Sequence, residues 1–148
     1  MANDRLVPVI IHETPSGWNS KKFVLRQCID KAQNDWLLLT DADCQPQSSK
    51  WIQSYVDHMS GATNLVLGVS PYQKEPHLIS LITEYETFIT ANKFLTQAIK
   101  GETYMGVGRN IAYTKSLFRE VSGFEDIAHI TGGDDDLLVQ KMAPFAKV

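Results

Sequence analysis

The feature that most constrains this chain is an apolar run that ends abruptly in acids: Trp36-Leu37-Leu38-Leu39, then Thr40-Asp41-Ala42-Asp43. A short, solidly apolar run with polar flanks fits a central strand buried on both faces. In open α/β sheets, ligands bind beyond the carboxyl ends of the strands, where Asp41 and Asp43 would stand. Two close carboxylates repel and raise each other's pKa unless a cation lies between them. An oxygen-rich site next to a phosphate-bearing substrate favours Mg²⁺ or Mn²⁺. The plainer alternative is a solvated strand-to-turn exit, where Asp is common in any case.

The rest of the chain supplies elements to flank that strand. Leu6 to Ile11 is β-branched and apolar and predicts a short strand, with Pro8 pointing to an edge or an irregularity. Asn19 or Ser20 caps a helix from Lys21 to about Gln33, with Val24, Leu25, Cys28, Ile29 and Ala32 on one face. A second helix is expected over Ser49 to Met59 and another strand over Asn64 to Val69. Strand, helix, strand, helix, strand is the pattern of an α/β layered sheet. The longest helix should run from His77 to about Ile99. Its core stripe should be Leu78, Leu81, Ile82, Tyr85, Phe88, Ile89, Leu95 and Ile99, while Ile79 and Phe94 lie off it and suggest a second contact surface. Tyr104 to Tyr113 reads as a glycine-rich turn entering a strand. Thr114 then caps a short helix closed by Gly123, and Thr131 to Asp136 opens a last helix through Met142. No linker or repeat interrupts this order, so residues 1–148 are read as one folding unit.

Composition narrows the function classes. A net charge of −3 argues against tight, non-specific nucleic-acid binding, so no nucleic-acid partner is expected. Cys28 and Cys44 are too few for a disulfide framework or a zinc ribbon, and suit reduced thiols in a cytoplasmic setting. No apolar run is long enough to span a bilayer.

Four further groups of residues could carry chemistry. Gly132-Gly133-Asp134-Asp135-Asp136 places three acids at a helix start. The helix dipole alone explains acids there, and a carboxylate on a rigid helix start also makes a well-placed general base. Met105-Gly106-Val107-Gly108-Arg109-Asn110 lacks the third glycine of a dinucleotide fingerprint and reads as a loop presenting Arg109 and Asn110. Lys21 and Lys22 are either solvated surface lysines or a pair of which one, Lys22, reaches a substrate diphosphate. His129, five residues before Asp134, is a candidate metal ligand.

Taken in order, Trp18-Asn19-Ser20-Lys21-Lys22, then LLLTDADC, then GVGRNIAYTKSLFREVSGF, then GGDDDLLVQ resemble an inverting glycosyltransferase of family 2 with a GT-A fold. That family has a lysine at a helix start, a DxD after a strand, a G-x-N-x-A-(F/Y) acceptor segment followed by GGF, and an E-D-x-(D/E)-L helix start. The likeness spans roughly Trp18 to Met142, and the long helix and YMGVGRNIAY look closest to bacterial membrane-associated members. It implies a partial GT-A, Rossmann-like layered sheet with flanking helices, the C-terminal portion of a catalytic domain. The strand, helix and strand that bind the nucleobase are expected before Leu6, so activity of this stretch alone is not expected.

Residue by residue, the resemblance implies Asp43 as metal ligand and Asp41 nearer the ribose or the metal's waters. Asp134 is the base, and Arg109 and Asn110 line the acceptor side. Gly133 stands where the family has Glu, and a shift of one residue makes Asp135 the base. The implied partners are a UDP-sugar and a glycan or lipid-linked acceptor, with Mg²⁺ or Mn²⁺ as cofactor. The implied setting is the cytoplasmic face of a membrane, and an exposed strand edge should favour self-association. Three other readings stay open at this point. One is a haloacid-dehalogenase-like phosphatase, whose nucleophile strand LLLTDADC resembles. The others are a nucleotidyltransferase and a non-catalytic interaction domain.

Overall fold

The computed structural model describes residues 6–73 and 75–148. A three-stranded antiparallel sheet forms its centre, built from β1 (Trp36–Leu39), β2 (Leu65–Leu67) and β3 (Ile111–Thr114) in the order β1-β3-β2. Leu37 and Leu65 both face Tyr113 across the ladders, and Leu39 and Leu67 both face Ile111. The central strand is therefore β3, whose residues are all buried, and not the Trp36 run, which lies at the edge and is half-buried. A solid apolar run marks burial of side chains against the layers above and below, and carries no information about which strands flank it.

The helices are α1 (Ser20–Lys31), α2 (Trp51–Val56), α3 (Leu78–Ile99), α4 (Lys115–Glu120) and α5 (Asp136–Met142). Asn19 caps α1 by accepting from the Lys21 and Lys22 N–H groups, and Thr114 caps α4 by accepting from Leu117. The apolar face expected for α1 holds at Ile29 and partly at Leu25, whereas Cys28 is exposed. The core joins Ile29 of α1 and Leu65, Ile111 and Tyr113 of the sheet to Leu117, Phe118 and Phe124, with Leu138, Val139 and Met142 from α5. This packing fixes the C-terminal edge of β1 opposite the start of α5. Mixed helices around a small antiparallel sheet are consistent with a partial GT-A α/β fold.

Two further sequence expectations are overturned. Leu6 to Ile11 forms no strand, and Leu6, Val7 and Ile10 are exposed, because no sheet partner among the described residues lies alongside them. The outer edge of β2 is met by the C-terminal segment, through bonds from the Asn64 and Leu65 N–H groups to Lys147 O. The outer edge of β1 carries no strand among the described residues.

The second correction concerns α3. Most of its expected core stripe points outward: Leu78, Leu81, Ile82, Tyr85, Phe88 and Ile99 are exposed, while Ile89 and Leu95 are half-buried. The buried side is Ala91 and Phe94, flanked by half-buried Ser80, Thr83, Thr87 and Thr90. Of the two off-stripe residues, Phe94 is in the interior at 1% exposure and Ile79 is outside at 77%. The Thr83 and Thr87 hydroxyls are satisfied by donating to the carbonyls of Ile79 and Thr83. No helix among the described residues is long and apolar enough to cross a membrane.

Candidate active site

β1 delivers Thr40 and Asp41 to the sheet edge, and the turn before α5 brings Asp134 and Asp135 to the same place. Between them stands Lys21, in the first turn of α1. Its Nζ lies 2.7 Å from Asp134 Oδ2 and 3.8 Å from Asp41 Oδ1. These residues line a cavity of ≈ 260 Å³ together with the buried Ile111, Tyr113, Leu138 and Val139. The hydrogen bond to Asp134 pushes Lys21 up from its ordinary pKa; partial burial works against this, and the charges of Asp134 and Asp41 reinforce it. Lys21 is thus a fixed positive charge between the two acidic edges.

Lys22 does a different job from the one expected of it. It is fully buried, and its ammonium donates to the carbonyls of Ile130, at 2.6 Å, and Gly132, at 2.5 Å. Burial lowers its pKa, against the raising effect of Asp134. A buried ammonium is tolerable only with such partners. The expectation that Lys22 reaches substrate is therefore corrected: it ties α1 to the loop that carries the acids. In that loop Gly132 and Gly133 adopt φ of 76° and 66°, conformations that side-chain-bearing residues avoid. A Cβ on Gly133 would also run into Leu137.

The three acids are distributed by that loop. Asp134 points at Lys21. Asp135 is the N-cap of α5 and accepts from the N–H groups of Asp136, at 3.0 Å, and Gly108, at 2.9 Å. Both Asp134 and Asp135 line the cavity. A Cβ on Gly108 would come to 3.3 Å from Asp135 Cβ, so the small residue there allows the close approach. Burial of Asp135 works against its ionisation. Hydrogen bonds from the Asp136 carboxyl and from the Gly108 and Asp136 N–H groups outweigh burial and hold Asp135 below its ordinary pKa. The bond to Asp135, with partial burial, pushes Asp136 up to about 6.

The remaining expected site residues lie elsewhere. Asp43 is exposed beyond Asp41, with Cys44 Sγ 3.8 Å from its Oδ1, and does not line the cavity. His129 is exposed, and no group of three or more His, Cys, Asp or Glu side chains among the described residues is placed to hold a metal ion. Asn110 is a structural knot: its Oδ1 accepts from Trp51 Nε1 at 2.9 Å and lies 2.8 Å from Tyr55 Oη, and its Nδ2 donates to Val69 O at 2.7 Å. Arg109 donates to Ser70 O and lies over the Tyr72 ring at 5.1 Å. It lines a second cavity of ≈ 300 Å³ against α3, on the other side of the 105–109 segment from Gly108.

Sequence reasoning missed Lys21 and Tyr113. The first had a signal: the buried stripe Leu25 and Ile29, extended back by three and seven residues, meets Lys22, which leaves Lys21 on the cleft side with Leu25.

The model of one family, described as Glycosyl transferase family 2, matches residues 7–122, a stretch that includes Lys21, Asp41 and Asp43 and stops before Asp134. No curated protein and no solved structure matches the chain.

Proposed function

Because the chain belongs to glycosyl transferase family 2, we propose that it transfers a sugar from a UDP-sugar to a hydroxyl of a glycan or lipid-linked acceptor. In this reading transfer is a single displacement with inversion. The observation that carries it is the pairing of Asp134 with Lys21 across the cavity from Asp41.

Asp134 is the general base. It takes the proton of the acceptor hydroxyl as that oxygen forms a bond to the anomeric carbon, while the bond from that carbon to the diphosphate oxygen breaks on the opposite face. The electron pair of the broken bond leaves with the nucleoside diphosphate. Lys21, paired with Asp134 in the free protein, offers its ammonium to that departing charge. Lys22 and the cap made by Asp135 hold the base segment in place.

The donor set at the other edge is all hard oxygen, which fits Mg²⁺ or Mn²⁺. Mg²⁺ in particular is usually held by one or two carboxylates together with substrate phosphates and water. Asp43, with Asp41 beside it, would hold such an ion, which supplies charge neutralisation for the diphosphate. Arg109 is read as lining the acceptor side, with the second cavity beside it. A lipid-linked acceptor would bring the protein to the cytoplasmic face of a membrane, and the outward apolar side of α3 suits contact with lipid.

The experiment is UDP release from UDP-sugars by the full-length protein, with an acceptor, in Mn²⁺ or in EDTA, for wild type and Asp43→Asn. Metal-dependent release that the substitution lowers at least about 100-fold supports the reading. Equal release in EDTA removes the metal from it.

A further inference from the structure

Tyr113 sits in the middle of the central strand, 1% exposed, its ring stacked on Phe118 at 6.1 Å between centroids. Among the described residues its hydroxyl is the one buried side-chain polar atom without a hydrogen-bond partner. The same residue lines the ≈ 260 Å³ cavity that holds Asp41, Lys21 and Asp134. An orphaned buried hydroxyl is destabilising, and native interiors rarely carry one without a reason. Its surroundings keep it a donor. Burial, with the charge of Asp134, pushes the phenol above its ordinary pKa, so it stays protonated at any working pH.

The chemistry of the cavity limits what can accept from it. Beside Tyr113 the lining is largely aliphatic, with Leu25, Leu38, Ile111, Leu138 and Val139 in the same wall as the charged groups. A plain sugar hydroxyl set against those side chains would bring a donor of its own that an aliphatic wall cannot satisfy. An acylamino substituent suits it better: a carbonyl oxygen accepts from the phenol and a methyl group packs among the leucines.

We infer that Tyr113 Oη is a specificity-determining donor to substrate, and that the substituent it takes is the acetamido group of a 2-acetamido sugar. This rests on the reading of the cavity as the sugar-transfer site. Tyr113 takes no part in bond making; it selects what sits in the cavity.

The test uses the full-length protein and its Tyr113→Phe variant, with Mn²⁺. Binding of UDP-N-acetylglucosamine and UDP-glucose is measured by calorimetry, alongside the thermal melt without ligand. Wild type should bind the acetamido sugar about 10-fold more tightly than the plain one. The variant should lose that preference while its affinity for UDP-glucose stays within about 2-fold. Its unliganded melting temperature should be equal or higher, because an orphaned polar group has been removed. Unchanged discrimination in the variant overturns the inference and leaves glycosyl transfer standing, as does a wild type that binds both sugars equally. A lower unliganded melting temperature in the variant means the hydroxyl is already satisfied, and also overturns it. Failure of the wild type to bind any nucleotide sugar removes the underlying reading, and this inference with it.

Discussion

At one edge of the cleft, Asp41 and Asp43 leave an edge strand with little to hold them: Asp41 is 43% exposed and 3.8 Å from Lys21, and Asp43 is exposed, with Cys44 Sγ 3.8 Å from its carboxylate. At the other edge, Asp134 is 14% exposed and 2.7 Å from Lys21, Asp135 is tied to Gly108, and the loop before them is clamped from beneath by Lys22. The same residue type is thus built into two environments. A proton acceptor has to be held where the acceptor hydroxyl arrives, so its order comes from the fold. Carboxylates that meet a cation and a diphosphate gain their order from those partners, and an exposed turn suffices. Acids held by the fold should respond to changes in the scaffold, and acids left open should not.

The largest effect on that contrast is expected from Lys22→Met. It keeps the apolar stem, removes the ammonium and leaves the Ile130 and Gly132 carbonyls without their donor. The expected loss is about 2–3 kcal/mol, a fall in Tm of roughly 5–10 °C for a domain of this size, read by thermal melting. An unchanged Tm would mean that the clamp is not what orders the acidic loop.

Gly133→Ala is the next test. Its backbone lies at φ 66° and a Cβ meets Leu137, so about 1–2 kcal/mol should be lost. Denaturant unfolding gives the number, and a neutral result would show that the turn relaxes freely.

A pH effect comes from the Asp135–Asp136 pair. Asp136 ordinarily titrates at 3.8 and is pushed up to about 6 in the fold. The folded state therefore holds more protons at that residue between those values. Its contribution to stability is fully present below 3.8 and is lost as pH rises through about 6. Asp135, held low, acts in the opposite sense at lower pH. Carboxyl-carbon NMR should show a titration near 6 that Asp136→Asn removes. Two ordinary low titrations at this pair would contradict the shared proton.

The smallest effect is expected at the open edge, where Asp43→Asn should leave stability within about 0.5 kcal/mol of wild type. A larger change would mean that the turn after β1 is held by contacts of Asp43, and would erase the contrast.

How far these features were legible in the sequence follows the range of the interactions behind them. The caps at Asn19 and Thr114 and the acids after Leu39 are set by neighbours a few residues away, and they read directly. Lys22 is held by carbonyls 108 and 110 positions distant, so its burial is not legible from the pair Lys21-Lys22 alone, although the stripe through Leu25 and Ile29 points at it. The periodicity of α3 was right and its direction was not. An amphipathic pattern fixes which residues share a face, whereas the body packed on the face of Thr83, Thr87, Ala91 and Phe94. Sheet order was illegible for the same reason: β3 became central through pairing with β1 and β2, whose partner residues are dozens of positions away. Tyr113 reads as any core aromatic, and only the fold shows that its hydroxyl has no hydrogen-bond partner among the described residues.

The central claim is that Asp134, fixed opposite Lys21, is the base, while Asp135 is a cap. The direct measurement is the rate of sugar transfer by full-length Asp134→Asn and Asp135→Asn, each at saturating donor and with donor affinity measured in parallel. The account predicts that Asp134→Asn lowers the rate at least about 100-fold with donor affinity unchanged. It predicts that Asp135→Asn lowers the rate less and lowers stability by about 1 kcal/mol, because the amide keeps the cap to Asp136 while its nitrogen cannot accept from the Gly108 N–H. The opposite ranking, with Asp135→Asn abolishing transfer and Asp134→Asn nearly as active as wild type, would contradict it.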